Sequence, residues 1–157
     1  MKKIYKIFFL PILLFFFIGI MTSEVNFNIQ DVRMPIIYFR YNSLTTVLFN
    51  CDTDSFKVSM EKVSKAILGN PSTYIAVNGY ADKKENKPKA LALKRAMYIK
   101  NELIKFGLTT DRVAVKSYGT DKMIFSDSLI LSKNNKVIAD SLRQMNRCVT
   151  FSVFKKQ

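Results

Sequence analysis

The chain has 157 residues, with 25 Lys and Arg against 12 Asp and Glu for a formal charge of +13, and it contains no His. The absence of His excludes Ser-His and Cys-His nucleophiles and the usual His-containing zinc sites. Its two cysteines, Cys51 and Cys148, are too few for a thiolate metal cluster and too far apart for a CxxC redox pair. At 48% hydrophobic the chain can fill the core of one domain, so the charge belongs to a folded surface and points to an acidic partner.

Lys2, Lys3 and Lys6 precede an uncharged apolar run over residues 7–23. A basic flank followed by such a run is an export signal. Seventeen residues as a helix span about 25 Å, close to the hydrocarbon thickness of a bilayer. Residues 1–23 are therefore expected to be an N-terminal hydrophobic helix, either a signal peptide or an uncleaved membrane anchor. The lysine-rich flank keeps the N-terminus inside and sends the rest outside the cytoplasm. Without its three lysines the remainder still carries +10.

Residues 24–34 read as a polar linker and 35–157 as one domain. PIIYFRY at 35–41 has the alternation and β propensity of a strand. Residues 45–49 fit a second short strand or an extended loop. Thr53 or Asp54 can cap a helix that shows Phe56, Met60, Val63 and Ile67 on one face and stops at Gly69. YIAVN at 74–78 is a strand closed by Gly79, and a lysine-rich loop over 83–89 follows. The next helix shows Ala92, Ala96, Ile99 and Leu103, with Gly107 as its left-handed stop. RVAVKSY at 112–118 reads as a strand, a polar loop leads to a helix over 135–144, and 149–154 forms the last strand. The order is β-α-β-α-β-(α)-β, an α+β class.

Several segments carry a resemblance. Asn70-Pro71, then Gly79-Tyr80-Ala81-Asp82, resemble the "NP…GYTD" stretch of OmpA-like peptidoglycan-binding domains. Such domains occur in outer-membrane porins, peptidoglycan-associated lipoproteins and flagellar stator subunits. Leu91 with Arg95-Ala96 resembles "LSxxRA", and Gly107-Leu108 resembles "GI" twelve residues after the Arg. Tyr118-Gly119 resembles "GYGE", and Arg143, Asn146, Arg147 and Val149 resemble "RxxNRRV". Phe39 to Ser43 is similar to the "FxFxS" strand end. The resemblance runs from about residue 36 to 153. It implies a two-layer sandwich, with helices on one face of a mixed sheet.

By the same resemblance the ligand is the diaminopimelate of the wall peptide, whose free end pairs an ammonium with a carboxylate. A zwitterion needs one anion and one cation facing it across a groove. The resemblance assigns the ammonium to Asp82 and the carboxylate to Arg95, whose planar fork binds in bidentate fashion. Arg147 adds a second cation, Asn42 the rim, and Ala81 and Leu91 complete the ligand-binding set. Backbone N–H groups after Gly79 and near the following loop would complete the carboxylate's shell. No catalytic residue, cofactor or metal is implied.

The sequence also departs from the family pattern. Asp82 and Arg95 are thirteen residues apart, two fewer than usual, and the Gly after the Asp and the Asn before "LS" are missing, so one wall of the groove is altered. The expected function is a non-catalytic, peptidoglycan-binding protein of the periplasm of a Gram-negative-type bacterium. It would be tethered to the inner membrane by residues 7–23 or released on cleavage. The alternative is a docking module that has lost its ligand and contacts other envelope proteins in a secretion or motility assembly. Nucleic acid is not an expected partner, since no recognition motif is present and the chain carries an export signal. An oxidising compartment permits a disulfide between Cys51 and Cys148, although small buried apolar residues are the commoner role of isolated cysteines.

Overall fold

A computed structural model describes residues 34–47 and 55–155. The expected N-terminal helix, signal or anchor and most of the linker lie outside them, as does Cys51. No helix among the described residues is long and apolar enough to cross a membrane.

Among the described residues ten elements follow in order. They are β1 (Ile37–Phe39), β2 (Thr46–Val47), α1 (Phe56–Leu68), β3 (Thr73–Tyr80), α2 (Pro88–Lys105), a 3-10 turn (Thr110–Arg112), β4 (Val113–Gly119), α3 (Asp127–Leu131), α4 (Lys136–Met145) and β5 (Cys148–Lys155). The five strands make one mixed sheet in the order β2-β1-β5-β3-β4. β3 and β4, joined through α2, run parallel, and the other neighbours are antiparallel. The α+β class and mixed sheet are those the sequence implies.

The core lies on one face of the sheet. Ile37, Phe39, Ile75, Val77, Val113 and Val149 meet Met60, Val63 and Ile67 of α1 and Ala96, Ile99 and Leu103 of α2, all nearly or fully buried. Period-2 alternation in the strands and spacings of three and four in the helices turn these residues to the same layer. The opposite face is held by cross-strand contacts. Tyr74 stacks on Phe154, Tyr80 on Tyr118, and the Asn78 amide donates to Ser152 Oγ at 2.8 Å.

Gly79 sets how closely α2 approaches β3. A Cβ at this position would lie 2.1 Å from the Ala92 carbonyl oxygen, so only glycine lets helix and strand meet. Gly107 terminates α2 with φ 97°, the left-handed stop expected of it.

Some boundaries differ from expectation. The cap of α1 is Ser55, whose hydroxyl accepts from the Val58 N–H, while Thr53 and Asp54 lie outside the described residues. β3 is longer than read, because both its flanks pair with β5. α3 was not expected: five residues make fewer than two turns, too short to display a helical apolar period. The 135–144 helix is present as α4, with the Asn135 carboxamide accepting from Val137 and Ile138 N–H.

Candidate functional site

The site forms where β1 and β3 end and β5 begins, near the start of α2. After Tyr80 the chain leaves the sheet, Ala81 donates its N–H to the Gly119 carbonyl at 2.9 Å, and Asp82 follows, fully buried. Its carboxylate accepts from Arg143 Nη1 of α4 at 3.2 and 3.3 Å and from the Lys84 N–H at 3.1 Å. The other Arg143 nitrogen donates to Asp127 Oδ1 at 3.1 Å, so one guanidinium bridges two acids.

Asp127 also receives Lys83 at 3.4 Å. Burial alone would raise its carboxyl, but the hydrogen bonds and charges of Arg143 and Lys83 outweigh this and hold it below the usual aspartate range.

Arg95 lies on the second turn of α2 and is completely buried. Its guanidinium donates to both oxygens of Glu85, from Nη1 to Oε2 at 2.7 Å and from Nη2 to Oε1 at 2.6 Å. Nε and Nη2 also reach the Ser43 carbonyl, Nη2 the Arg40 carbonyl, and Nη1 the Tyr80 carbonyl. The Phe39 ring lies 5.2 Å from the cation. Arg95 thereby ties the ends of β1 and β3 to the 83–87 turn.

The Glu85 carboxylate is equally well satisfied. Beside Arg95 it accepts the Asn42 N–H at 2.9 Å and the Asp82 N–H at 3.1 Å. The bidentate guanidinium and the Asp82 N–H, which follows Gly79, are parts of the shell expected around a ligand carboxylate. The second N–H comes from Asn42 and not from the loop after Asp82. Here the chain's own carboxylate fills that shell.

Beside this sealed pair opens a cleft of ≈ 230 Å³ lined by Tyr41, Asp82, Lys84, Asp140, Arg143 and Arg147. Arg147 precedes β5 and is nine-tenths buried. It donates to Gln144 and lies 5.8 Å above the Tyr41 ring, but its Nε has no partner. Among the described residues no carboxylate comes within ion-pair distance of it. Burial lowers its pKa, and Arg95 adds to this, although Glu85 and Asp82 oppose it.

The expected site residues thus divide. Asp82 and Arg147 line the cleft. Arg95 is packed behind it against Glu85. Asn42 contributes its backbone N–H to Glu85 and its side-chain oxygen to the Asn86 N–H, in a left-handed conformation at φ 47°. Ala81 is buried beneath, and Leu91 sits half-buried on the first turn of α2 and does not line the cleft.

Arg143, Glu85, Tyr41, Lys84 and Asp140 were not in the expected set. Arg143 stands in the "RxxNRRV" segment, which was a usable signal. Glu85 stands in a lysine-rich loop that reads as solvated, and nothing local marks it as buried.

The OmpA family profile matches residues 46–136. The chain belongs to the OmpA family. Among curated proteins, none matches the chain.

Solved structures with this OmpA-like fold include the peptidoglycan-associated lipoprotein of Burkholderia pseudomallei, 16% identical with a TM-score of 0.60. That match covers 76% of this chain and 89% of the lipoprotein. The C-terminal domain of Helicobacter pylori MotB is 20% identical with a TM-score of 0.60, over 80% of this chain and 89% of that one. The OmpA-like domain of FopA1 from Francisella tularensis is 15% identical with a TM-score of 0.50, over 78% and 72%. At these identities the likeness establishes the fold.

Cys148 is a fully buried thiol, and burial pushes its pKa up to about 12.

Proposed function

We propose that this OmpA-family chain is a non-catalytic, peptidoglycan-binding protein of the periplasm, tethered by residues 7–23 or released from them. In this reading it takes the zwitterionic end of a wall-peptide diaminopimelate in the cleft beside Asp82 and Arg147. The observation that carries the reading is the Arg147 side chain, which lines the cleft, has no carboxylate partner among the described residues and keeps a buried Nε without a hydrogen bond. A desolvated cation of this kind gains most from an incoming anion. Asp82, shared with Arg143, and Asp140 on the exposed face of α4 offer the opposite sign to an ammonium. The cleft has the volume of roughly seven or eight waters, enough for the tip of a peptide stem. Recognition here needs charge and shape but no proton transfer. The name of one structural relative, a peptidoglycan-associated lipoprotein, supports the same direction.

This reading moves the ligand carboxylate from Arg95 to Arg147, because Glu85 already occupies Arg95. That same occupation favours the second reading, a docking module that contacts other envelope proteins and has dropped its ligand.

Sedimentation with purified sacculi tests both, at about 0.15 M salt, where exposed charges more than about 8 Å apart are screened. The parent chain is expected to sediment. Arg147→Ala should weaken this about tenfold, a loss of about 1.4 kcal/mol, and Lys116→Ala on exposed β4 should not. Equal sedimentation of all three overturns the cleft as the site. No sedimentation of the parent favours the docking module.

A further inference from the structure

The 83–87 turn has an unusual internal balance. Lys83, Lys84, Asn86 and Lys87 are exposed, and Glu85 alone is buried, with none of its side chain accessible. The turn ends at Lys87, which caps α2 in a left-handed backbone at φ 49° without a side-chain cap bond. Its remaining ties are the exposed Lys83–Asp127 ion pair at 3.4 Å and single hydrogen bonds. Tyr41 donates to the Lys84 carbonyl, and the N–H groups of Lys84, Glu85 and Asn86 reach the Asp82 carboxylate, the Asp82 carbonyl and the Asn42 side chain. The Glu85 carboxylate, with four charge-assisted or backbone donors, is the dominant attachment.

The hole into which it fits is built from other parts of the chain. Arg95 is fixed by four carbonyl contacts from the ends of β1 and β3 besides its bond to Glu85. The Asn42 N–H comes from the loop after β1, and the Asp82 N–H from the end of β3. These donors converge on a carboxylate whether or not its stem is Glu85. The hole also adjoins the open cleft, since Asp82, whose N–H donates to Glu85, and Lys84, the residue before the plug, line that cleft.

We infer that Glu85 is a built-in competitor: it plugs a preformed carboxylate-binding hole centred on Arg95, and an external carboxylate enters only when Glu85 swings out with the 83–87 turn. The ligand class is a small carboxylate, alone or as the anionic half of an amino-acid zwitterion. Its identification with a wall peptide rests on the reading above, but the plug itself does not. Wall binding would then have two grades, a weak one at Arg147 with the plug in and a strong one that also uses Arg95 with the plug out.

The test uses the full-length chain and its Glu85→Ala and Glu85→Gln variants. Thermal unfolding is followed in sodium acetate and in sodium chloride at equal ionic strength. In chloride, Glu85→Ala should melt below the parent, because Arg95 is left buried and unpaired. Acetate should raise its melting temperature in a saturable way, and Arg95→Lys in the same background should abolish that rise. The parent should respond to the two salts alike. Should Glu85→Ala fail to fold, Glu85→Gln keeps the bulk and one acceptor oxygen. Isothermal titration with diaminopimelate should then show it binding at least tenfold tighter than the parent.

Acetate and chloride acting alike on a folded Glu85→Ala overturn the proposal, and so does equal diaminopimelate affinity in Glu85→Gln and the parent. The wall reading is scored separately by sedimentation. Acetate rescue without sedimentation keeps the plug and drops the wall ligand. Sedimentation lost in Arg147→Ala, without acetate rescue, does the reverse.

Discussion

Arg95 and Arg147 lie in the same corner of the molecule and both lose most of their solvent, yet one is ion-paired and the other is not paired with any carboxylate among the described residues. Arg95 has a bidentate carboxylate, several carbonyls and no exposed surface. Arg147 has one side-chain amide, an aromatic ring and an open cleft in front of it. The difference shows that burial of a cation does not define its role. A satisfied guanidinium organises the fold, and an unsatisfied one is available to a ligand.

The comparison breaks most directly at Arg95. Arg95→Ala removes one partner of a buried ion pair and strands Glu85, and it should cost about 3–5 kcal/mol. The midpoint of denaturant unfolding reads this, and a loss under 1 kcal/mol would mean that the pair does not hold the site together.

A slightly smaller effect is expected at the seat that carries Arg95. Gly79→Ala drives a methyl into the Ala92 carbonyl and should lift α2 from β3 at a cost of about 1–3 kcal/mol, the usual range for overpacking. An unchanged melting curve would show that the helix tolerates the shift.

Arg147→Ala should change stability by no more than about 1 kcal/mol, since no buried ion pair is broken, while still weakening sacculus binding about tenfold. A large destabilisation would make Arg147 a second Arg95 and erase the distinction.

The smallest effect lies at the periphery, where Asp127 joins Arg143 and Lys83. Its carboxyl is held low in the folded protein, so it contributes stability that is present above the ordinary aspartate pKa of about 3.9 and is lost as pH falls through the lower folded value. Asp127→Asn should lower stability slightly at neutral pH and leave it nearly unchanged below the folded value, so that the acid limb of the stability–pH curve flattens. Identical acid limbs would show that this carboxylate is not coupled to folding.

Legibility from sequence follows the range of the interaction. The stripe Ala92, Ala96, Ile99 and Leu103 marks the buried side of α2 because helical periodicity is local, and Gly107 marks its end because few residues adopt positive φ. Asp82 and Arg147, which line the cleft, stand in segments that the family resemblance singles out. Glu85 does not. It stands among four lysines and an asparagine, and its burial is created by Asn42, Asp82 and Arg95, between three and forty-three residues away along the chain.

The amino-acid sequence by itself determined the family, the α+β order of elements and the segments that meet at the site. These rest on short-range patterns of polarity, turn residues and spacing that survive without knowledge of the third dimension. Only the tertiary structure decided which acid answers which base. Counter-ion choice depends on which side chains reach one another after β1, β3, α2 and α4 have converged, and on how little water remains there to compete.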